Sequence, residues 1–343
     1  VKRHIRITLA ILALVTAFDS CMERQPLSFE DNLGGFFQKK EVTIAVTDSG
    51  LGGLSILAEA VERMRNSNIF RKVDFVFFNA LFSSQGGYNS LKTQKEKTSI
   101  FDSALRSLTS EYKPDLILIG CNTLSILYES TPFAVEKNAL VVGIVDSGVD
   151  LIARTLKNHP QAKVILLGTQ TTVEEGTHKK RLLDMGFLSD RIVTQACPDL
   201  VSYIEKGRSS DETELLIFAY ADEALRKLSD PEISFYVSFN CTHYGYSLDL
   251  WEQAFLSLGV SPKAFLNPNS DMIHFLFPPE LRESFRKTEI KIQVVSMVEI
   301  GADQIVSIGG WLNKVSPQTA EALKDYRLNR DLFEWKKHVT SER

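Results

Sequence analysis

Asp115-Leu-Ile-Leu-Ile-Gly120, running into Cys121-Asn122-Thr123, decides the fold class of this chain, and a second stretch repeats the device. That stretch is Ile233-Ser-Phe-Tyr-Val-Ser-Phe239, running into Asn240-Cys241-Thr242-His243. In each, an apolar run of strand length ends at a cysteine flanked by small hydrogen-bonding residues. Runs of this kind, bounded by polar turn residues, suit strands buried on both faces of a parallel sheet. Ligands of such sheets bind beyond the carboxyl ends of the strands. Both thiols therefore fall where chemistry is done. A single cysteine is more often a small buried hydrophobe. The matched context of the pair argues against that plainer reading.

Outward from these two stretches, strands and helices alternate. Val42–Val46 leads through Thr47-Asp48-Ser49-Gly50-Leu51-Gly52-Gly53-Leu54 into a helix at 55–66. Strands are expected at 73–78, 140–145, 163–168, 192–195, 264–266 and 291–296, and helices at about 91–110, 149–157, 211–228 and 317–326. A helix is also expected to carry Glu174, Glu175 and His178. This alternation predicts an α/β protein built on parallel sheets, in two similar halves with a cleft between them. The turn at 48–54 offers close backbone approach and free helix N-terminal N–H groups to an anion. It is neither GxGxxG nor a P-loop, so nucleotide binding is not indicated.

Composition narrows the classes further. At 343 residues, with 44% hydrophobic and 24% charged residues, the chain is long enough for two ordinary globular domains. A net charge of -4 supplies no basic footprint for nucleic acid. The cysteines at 21, 121, 197 and 241 form neither a CxxC pair nor a zinc-spaced cluster with histidine, so no metal site is expected. Residues 1–21 combine a basic start (Lys2, Arg3, His4, Arg6), a short apolar run at 7–18 and Asp19-Ser20-Cys21. That is the layout of a secretory signal, and a terminal cysteine resembles a bacterial lipoprotein signal with its lipid anchor at Cys21. The expectation is an exported, membrane-anchored protein, or a cytoplasmic one if translation starts at Met22. Residues 22–40 read as a polar tether through Gly34-Gly35.

The motifs together resemble one family. Asp48-Ser49-Gly50-x-Gly52-Gly53-Leu54, Cys121-Asn122-Thr123-x-Ser125, Gly168-Thr169-x-x-Thr172-Val173, Ala196-Cys197-Pro198 followed by Glu205 and Gly207, and Cys241-Thr242-His243-Tyr244 occur in order over about 42–270. In this set the chain resembles the glutamate racemases of the aspartate/glutamate racemase superfamily. The resemblance implies two α/β domains related by a pseudo-two-fold axis. The first is discontinuous, 41–144 with 252–343, and the second is 145–251. It implies interconversion of L- and D-glutamate, supplying D-glutamate for peptidoglycan, with neither pyridoxal phosphate nor metal. Cys121 and Cys241 become the acid/base pair, Asp48 the proton-handling partner of Cys121, and His243 that of Cys241. Ser49, Asn122, Thr123 and Thr242 become holders of the ammonium and carboxylate groups, with Thr169, Thr172 and Gly87 also lining the site. The expected partners are a small acidic amino acid and a second copy of the chain.

Racemisation makes physical sense of two thiols. A weakly acidic Cα proton leaves one face of the carbon and a proton returns to the other, so two groups must flank it. A thiolate needs neighbouring cations, donors or helix N-termini to exist near neutral pH. His243 beside Cys241 suits that need, Cys197 reads as packing, Glu205 fits an acidic partner or a solvated helix face equally, and His178 carries no assigned role. The chain departs from the family in the loop after the second strand. A stretch of the type Asp-Thr-Ala-Arg-x-Pro-Tyr-Gly is represented here by Ala80-Leu-Phe-Ser-Ser-Gln-Gly-Gly87, in which only Gly87 is retained. The family's Pro after Cys-Thr-His-Tyr is Gly245, and a later Asp-Pro is Asn267-Pro268. These departures keep open another isomerase or a decarboxylase of the superfamily, or an exported binding lipoprotein without turnover.

Overall fold

The strands follow the apolar runs. In a computed structural model describing residues 29–136, 139–228 and 233–339 they are β1 (Glu41–Asp48), β2 (Lys72–Asn79), β3 (Leu116–Ile119), β4 (Val141–Gly143), β5 (Lys163–Gly168), β6 (Ile192–Ala196), β7 (Phe235–Asn240), β8 (Phe265–Leu266), β9 (Glu289–Ser296) and β10 (Arg327–Leu328). Among the described residues they form two sheets, ordered β10-β9-β2-β1-β3-β4 and β6-β5-β7-β8. Every pairing is parallel. All residues of β3, β5 and β7 are buried, as strands covered by helices on both faces must be.

Each sheet has a switch point. The chain leaves β1 to one side for β2 and returns on the other side to β3. It leaves β5 for β6 and returns to β7 on the opposite side. At such points the loops beyond adjacent strands part and leave a crevice. The loops that part here begin at Asp48-Ser49, Gly120-Cys121, Thr169 and Cys241.

Several boundaries differ from the sequence-based expectation. The second body does not end at 251: the helix Leu248–Ser257 leads into β8, which pairs with β7, and only β9 returns to the first sheet. Ile144 and Val145 belong to a helix, Ile144–Asn158, because Ile144, Val145, Gly148, Val149 and Ile152 are buried at helical spacing. The helix after β2 starts at Gln94, where Thr93 and Glu96 form a capping box: the Glu96 N–H donates to Thr93 Oγ1 and the Thr93 N–H to Glu96 Oε2, each at 3.2 Å. The helix bearing Glu174 and Glu175 stops at Gly176 (φ 63°), and a new one, Thr177–Asp184, carries His178. Ala302–Val315, a stretch given no element above, is a helix.

The tether is also shorter than expected. Phe29–Phe37 is helical, and Phe36 is buried edge-on against Phe70 at 5.2 Å, with Phe37 stacked on the same ring at 6.0 Å. The expected signal and Cys21 lie outside the described residues. Phe36→Ala should cost about 3 kcal/mol, the usual range for removing a buried ring. Urea unfolding at equilibrium measures this, and an unchanged midpoint belongs to a free tether.

Candidate active site

The first half of the site grows from β1 and β3. Asp48 closes β1 and is 1% exposed. Cys121 sits at the N-cap of the helix Asn122–Tyr128. Ser49 Oγ lies 3.2 Å from Cys121 Sγ, and the Leu124 and Ser49 N–H groups also point at the sulfur. Burial, joined by the charge of Asp48, nevertheless pushes the Cys121 thiol up, so this half holds a protonated thiol. Burial raises the Asp48 carboxyl from 3.8 to about 6 against the opposing pull of His243, Thr242, Cys121 and the Gly53 N–H.

The second half follows β7. Cys241 Sγ lies 3.7 Å from His243 Nδ1, and His243 Nε2 lies 2.7 Å from Glu205 Oε1. Glu205, from the helix Leu200–Gly207, also accepts from the Leu51 N–H at 2.7 Å and from Gln304 Nε2 at 2.6 Å. Burial disfavours an imidazolium, but the hydrogen bonds to Cys241 and Glu205 and the Glu205 charge outweigh it, so His243 is held well above the ordinary histidine value. Glu205 is held below its ordinary value: burial would raise it, but His243, Leu51 and Gln304 prevail. A protonated His243 donates from both nitrogens, one N–H to the carboxylate and the other toward sulfur.

Thr242 Oγ1 donates to Asp48 Oδ2 at 2.8 Å and joins the halves. This contact explains the glycine turn. A β-carbon on Gly52 would come within 2.1 Å of Thr242 Oγ1, and one on Gly50 within 2.8 Å of Glu205 Oε1. The turn does receive an anion, as its sequence allows, but the anion is the chain's own Glu205.

The remaining expected residues divide into two groups. The hydroxyls of Thr123, Thr169 and Thr172 form a triangle, with Thr123 3.4 Å from each of the others and Thr169 3.0 Å from Thr172. Asn122 is 3% exposed, and neither atom of its amide has a partner. Gly87 opens a 3₁₀ turn at φ 55°. Cys197 is packed in the core, and His178 is buried, its ionisation pulled down to about 4 by burial and Arg181.

Four participants lay outside the expected site set. Glu205 was left between two roles by its sequence, and only its contact with His243 decides. Asn240 is buried with both amide atoms unpartnered, and its place just before Cys241 was the available signal. Gln304 had no signal at all. Tyr88 follows Gly87 in the loop after β2, where its ring is buried and Cys121 acts electrostatically on its hydroxyl.

No family model matches the chain. Glutamate racemase 3 of Caldanaerobacter subterraneus subsp. tengcongensis is 27% identical over 217 residues, covering 63% of this chain and 72% of that protein. A glutamate racemase of Clostridium perfringens is 29% identical over 211 residues, 62% of this chain and 74% of that protein. This chain is a relative of the glutamate racemases. In fold it is similar to the glutamate racemase of Campylobacter jejuni subsp. jejuni, with a TM-score of 0.56 and 22% identity over 79% of this chain and 98% of that one. It is similar also to that of Francisella tularensis subsp. tularensis solved with D-glutamate, with a TM-score of 0.57 and 20% identity over 80% and 95%.

The raised Asp48 carboxyl makes a signed prediction. Between about pH 6 and 3.8 the folded protein binds a proton at Asp48 that the unfolded chain does not, so stability rises as pH falls through that window. Relative to Asp48→Asn, wild type should gain about 1.4 kcal/mol per pH unit there. Urea unfolding of both proteins from pH 7 to pH 4 reads the difference, and parallel profiles would contradict it.

Proposed function

We propose that this chain racemises an acidic amino acid, glutamate first, by two-base proton transfer without a cofactor. The observation that carries the reading is two buried thiols at equivalent strand ends of two sheets, each with its own proton partner and bridged by the Thr242–Asp48 bond. The two halves differ in charge, which gives a direction to each turnover. The His243 imidazolium faces Cys241, while Cys121 is held as a thiol. For the enantiomer whose Cα–H faces Cys241, the Cys241 sulfur takes the proton and Cys121 returns one to the opposite face. The opposite enantiomer requires the reverse distribution, which Asp48 makes accessible because its own ionisation lies near neutrality.

The substrate is held by groups with unused hydrogen bonds. The Asn122 amide and the hydroxyls of Ser49, Thr123, Thr169, Thr172 and Thr242 serve the α-carboxylate and ammonium. The likeness to glutamate racemases, one of them solved with D-glutamate, supports an acidic amino acid as substrate. Supply of D-glutamate to peptidoglycan is the role proposed for the product.

Incubation of the reduced protein with L- or D-glutamate in deuterated water, followed by NMR, tests the reading. Cα deuteration and inversion are expected, with both lost by at least about 10³-fold in Cys121→Ala and in Cys241→Ala, as for removal of an acid or base. Glu205→Gln should lower the His243 ionisation, so the alkaline limb of the rate profile moves to lower pH. A folded, reduced protein that exchanges no acidic amino acid would sink the proposal.

A further inference from the structure

Between β8 of the second sheet and β9 of the first, the chain crosses from one lobe to the other, and the crossing begins with the short helix Pro268–Asp271. Asn267 caps it, its Oδ1 accepting from the Asn269 N–H at 3.1 Å. Three consecutive side chains then fasten the crossing. Arg154, on the helix Ile144–Asn158, donates to both carboxylate oxygens of Asp271, at 2.9 and 3.0 Å. Ser270 Oγ donates to Glu59 Oε1 at 2.8 Å, on the helix Leu54–Ser67 of the first lobe. Asn269 is 1% exposed and turns inward, toward the site.

The Asn269 amide serves two acceptors from distant parts of the chain. Its Nδ2 donates to Ser55 Oγ at 2.8 Å and to the Thr242 carbonyl at 3.0 Å. The Ser55 hydroxyl is itself committed as a donor to the Gly52 carbonyl at 2.8 Å, and a carbonyl only accepts, so both amide hydrogens are used and the orientation of the amide is fixed. One chain of bonds thus runs from the glycine turn to the turn after β7: Gly52 carbonyl, Ser55 hydroxyl, Asn269 amide, Thr242 carbonyl. The last of these belongs to the peptide that joins Thr242 to His243. On one side of that peptide the Thr242 hydroxyl donates to Asp48 Oδ2 at 2.8 Å, and on the other His243 reaches Cys241 and Glu205. The glycine turn leaves Thr242 little slack, since a β-carbon on Gly52 would lie 2.1 Å from its Oγ1.

We propose that Asn269 is a positioning residue that holds the Cys241-Thr242-His243 turn against Ser55, so that the Thr242 hydroxyl meets Asp48 and the two lobes of the site stay aligned. Its effect on turnover rests on the racemase reading; its effect on Asp48 does not. A neutral amide suits this place, because a carboxylate of the same shape would set a charge against two acceptors. Asp48 reports the alignment. Around its carboxyl stand the Gly53 N–H from its own turn, Cys121 from the turn after β3, and Thr242 and His243 from the turn after β7, with the Tyr246 phenol nearby. Burial raises the Asp48 ionisation to about 6, and the Thr242 bond is one of the pulls that oppose burial. Losing that bond moves the Asp48 midpoint further up.

Asn269→Ala removes both donated bonds. In the reduced full chain, with aspartate isotope-labelled at the carboxyl carbon, NMR follows the Asp48 titration, assigned with Asp48→Asn. The Asp48 midpoint should rise by about one pH unit in Asn269→Ala, the size of one hydrogen bond to a charged group. Cα deuterium exchange of glutamate should lose about 100-fold in kcat/KM, as for a misplacement of about 1 Å, and the acid limb of its profile should move up with the Asp48 midpoint. In a Thr242→Val background, which has no hydroxyl to position, Asn269→Ala should move the midpoint no further. A merely structural role lowers stability to urea while leaving the Asp48 titration and the pH profile in place, and that outcome overturns the proposal. So does a shift of the same size in the Thr242→Val background. If Asn269→Ala does not fold, Ser55→Ala, which removes one of the two acceptors, takes its place: a raised Asp48 midpoint supports the proposal, and an unmoved one overturns it. A wild type that exchanges no acidic amino acid sinks the racemase reading alone, and the Asp48 titration still decides Asn269.

Discussion

Three ionisable side chains, Asp48, His243 and Glu205, are taken out of water at the junction of the two lobes, and the rest of the site exists to make that tolerable. Moving a charge into an apolar interior costs several kcal/mol unless partners replace water. Here they do. Glu205 is neutralised by His243 and holds two further donors, the Leu51 N–H and the Gln304 amide, while Asp48 accepts from Thr242. Each partner comes from a different part of the chain, so the lobes cannot separate without orphaning a charge. The glycines at 50 and 52 follow from this constraint, because any side chain there would push Thr242, His243 or Glu205 away.

The two halves of the site resemble each other in topology and differ in chemistry. Both thiols follow a strand that flanks a switch point, and both are approached by small polar residues. One thiol stands beside a carboxylate and a serine, the other beside an imidazolium backed by a carboxylate. A two-base reaction needs that difference at every instant, since one group must be a base while the other is an acid. For the racemisation proposed above, the fold supplies the symmetry of approach to the two faces of a carbon. The second neighbours supply the asymmetry of charge.

Hydrogen-bonding capacity is also distributed with a purpose. The 93–96 capping box and the turn around Ser90 are closed on themselves. The unsatisfied groups include Asn122, Asn240 and Tyr88, and all three adjoin or pack with a site cysteine. Such groups weaken the empty protein and strengthen a complex, a trade found where a ligand completes the structure.

The sequence by itself determined the strand runs, their parallel arrangement and the residues at their carboxyl ends. These are local properties: an apolar run fixes burial on both faces, and burial on both faces fixes where polar chemistry can appear. Cys121 and Cys241 were legible for that reason, whereas Asp48, His243 and Thr242 were named by the family resemblance of their motifs. Only the tertiary structure decided which residues meet. Glu205 could be a solvated helix position until His243 and Leu51 closed on it, and Gln304 lies on a helix that shows no sign of a site. Phe29–Phe37 looked like tether because its glycines and charges are read one at a time, whereas Phe36 and Phe37 are ordered by Phe70. The end of the second lobe was misplaced because the two-residue strand at 265–266 exists only through its pairing with β7. Tyr88 was legible as a residue, but its burial against Phe82 and Phe101 was not, since the course of its loop is set by two left-handed glycines and a latch to the other lobe. Contacts between residues far apart in the chain are properties of packing, and packing is what a local pattern does not contain.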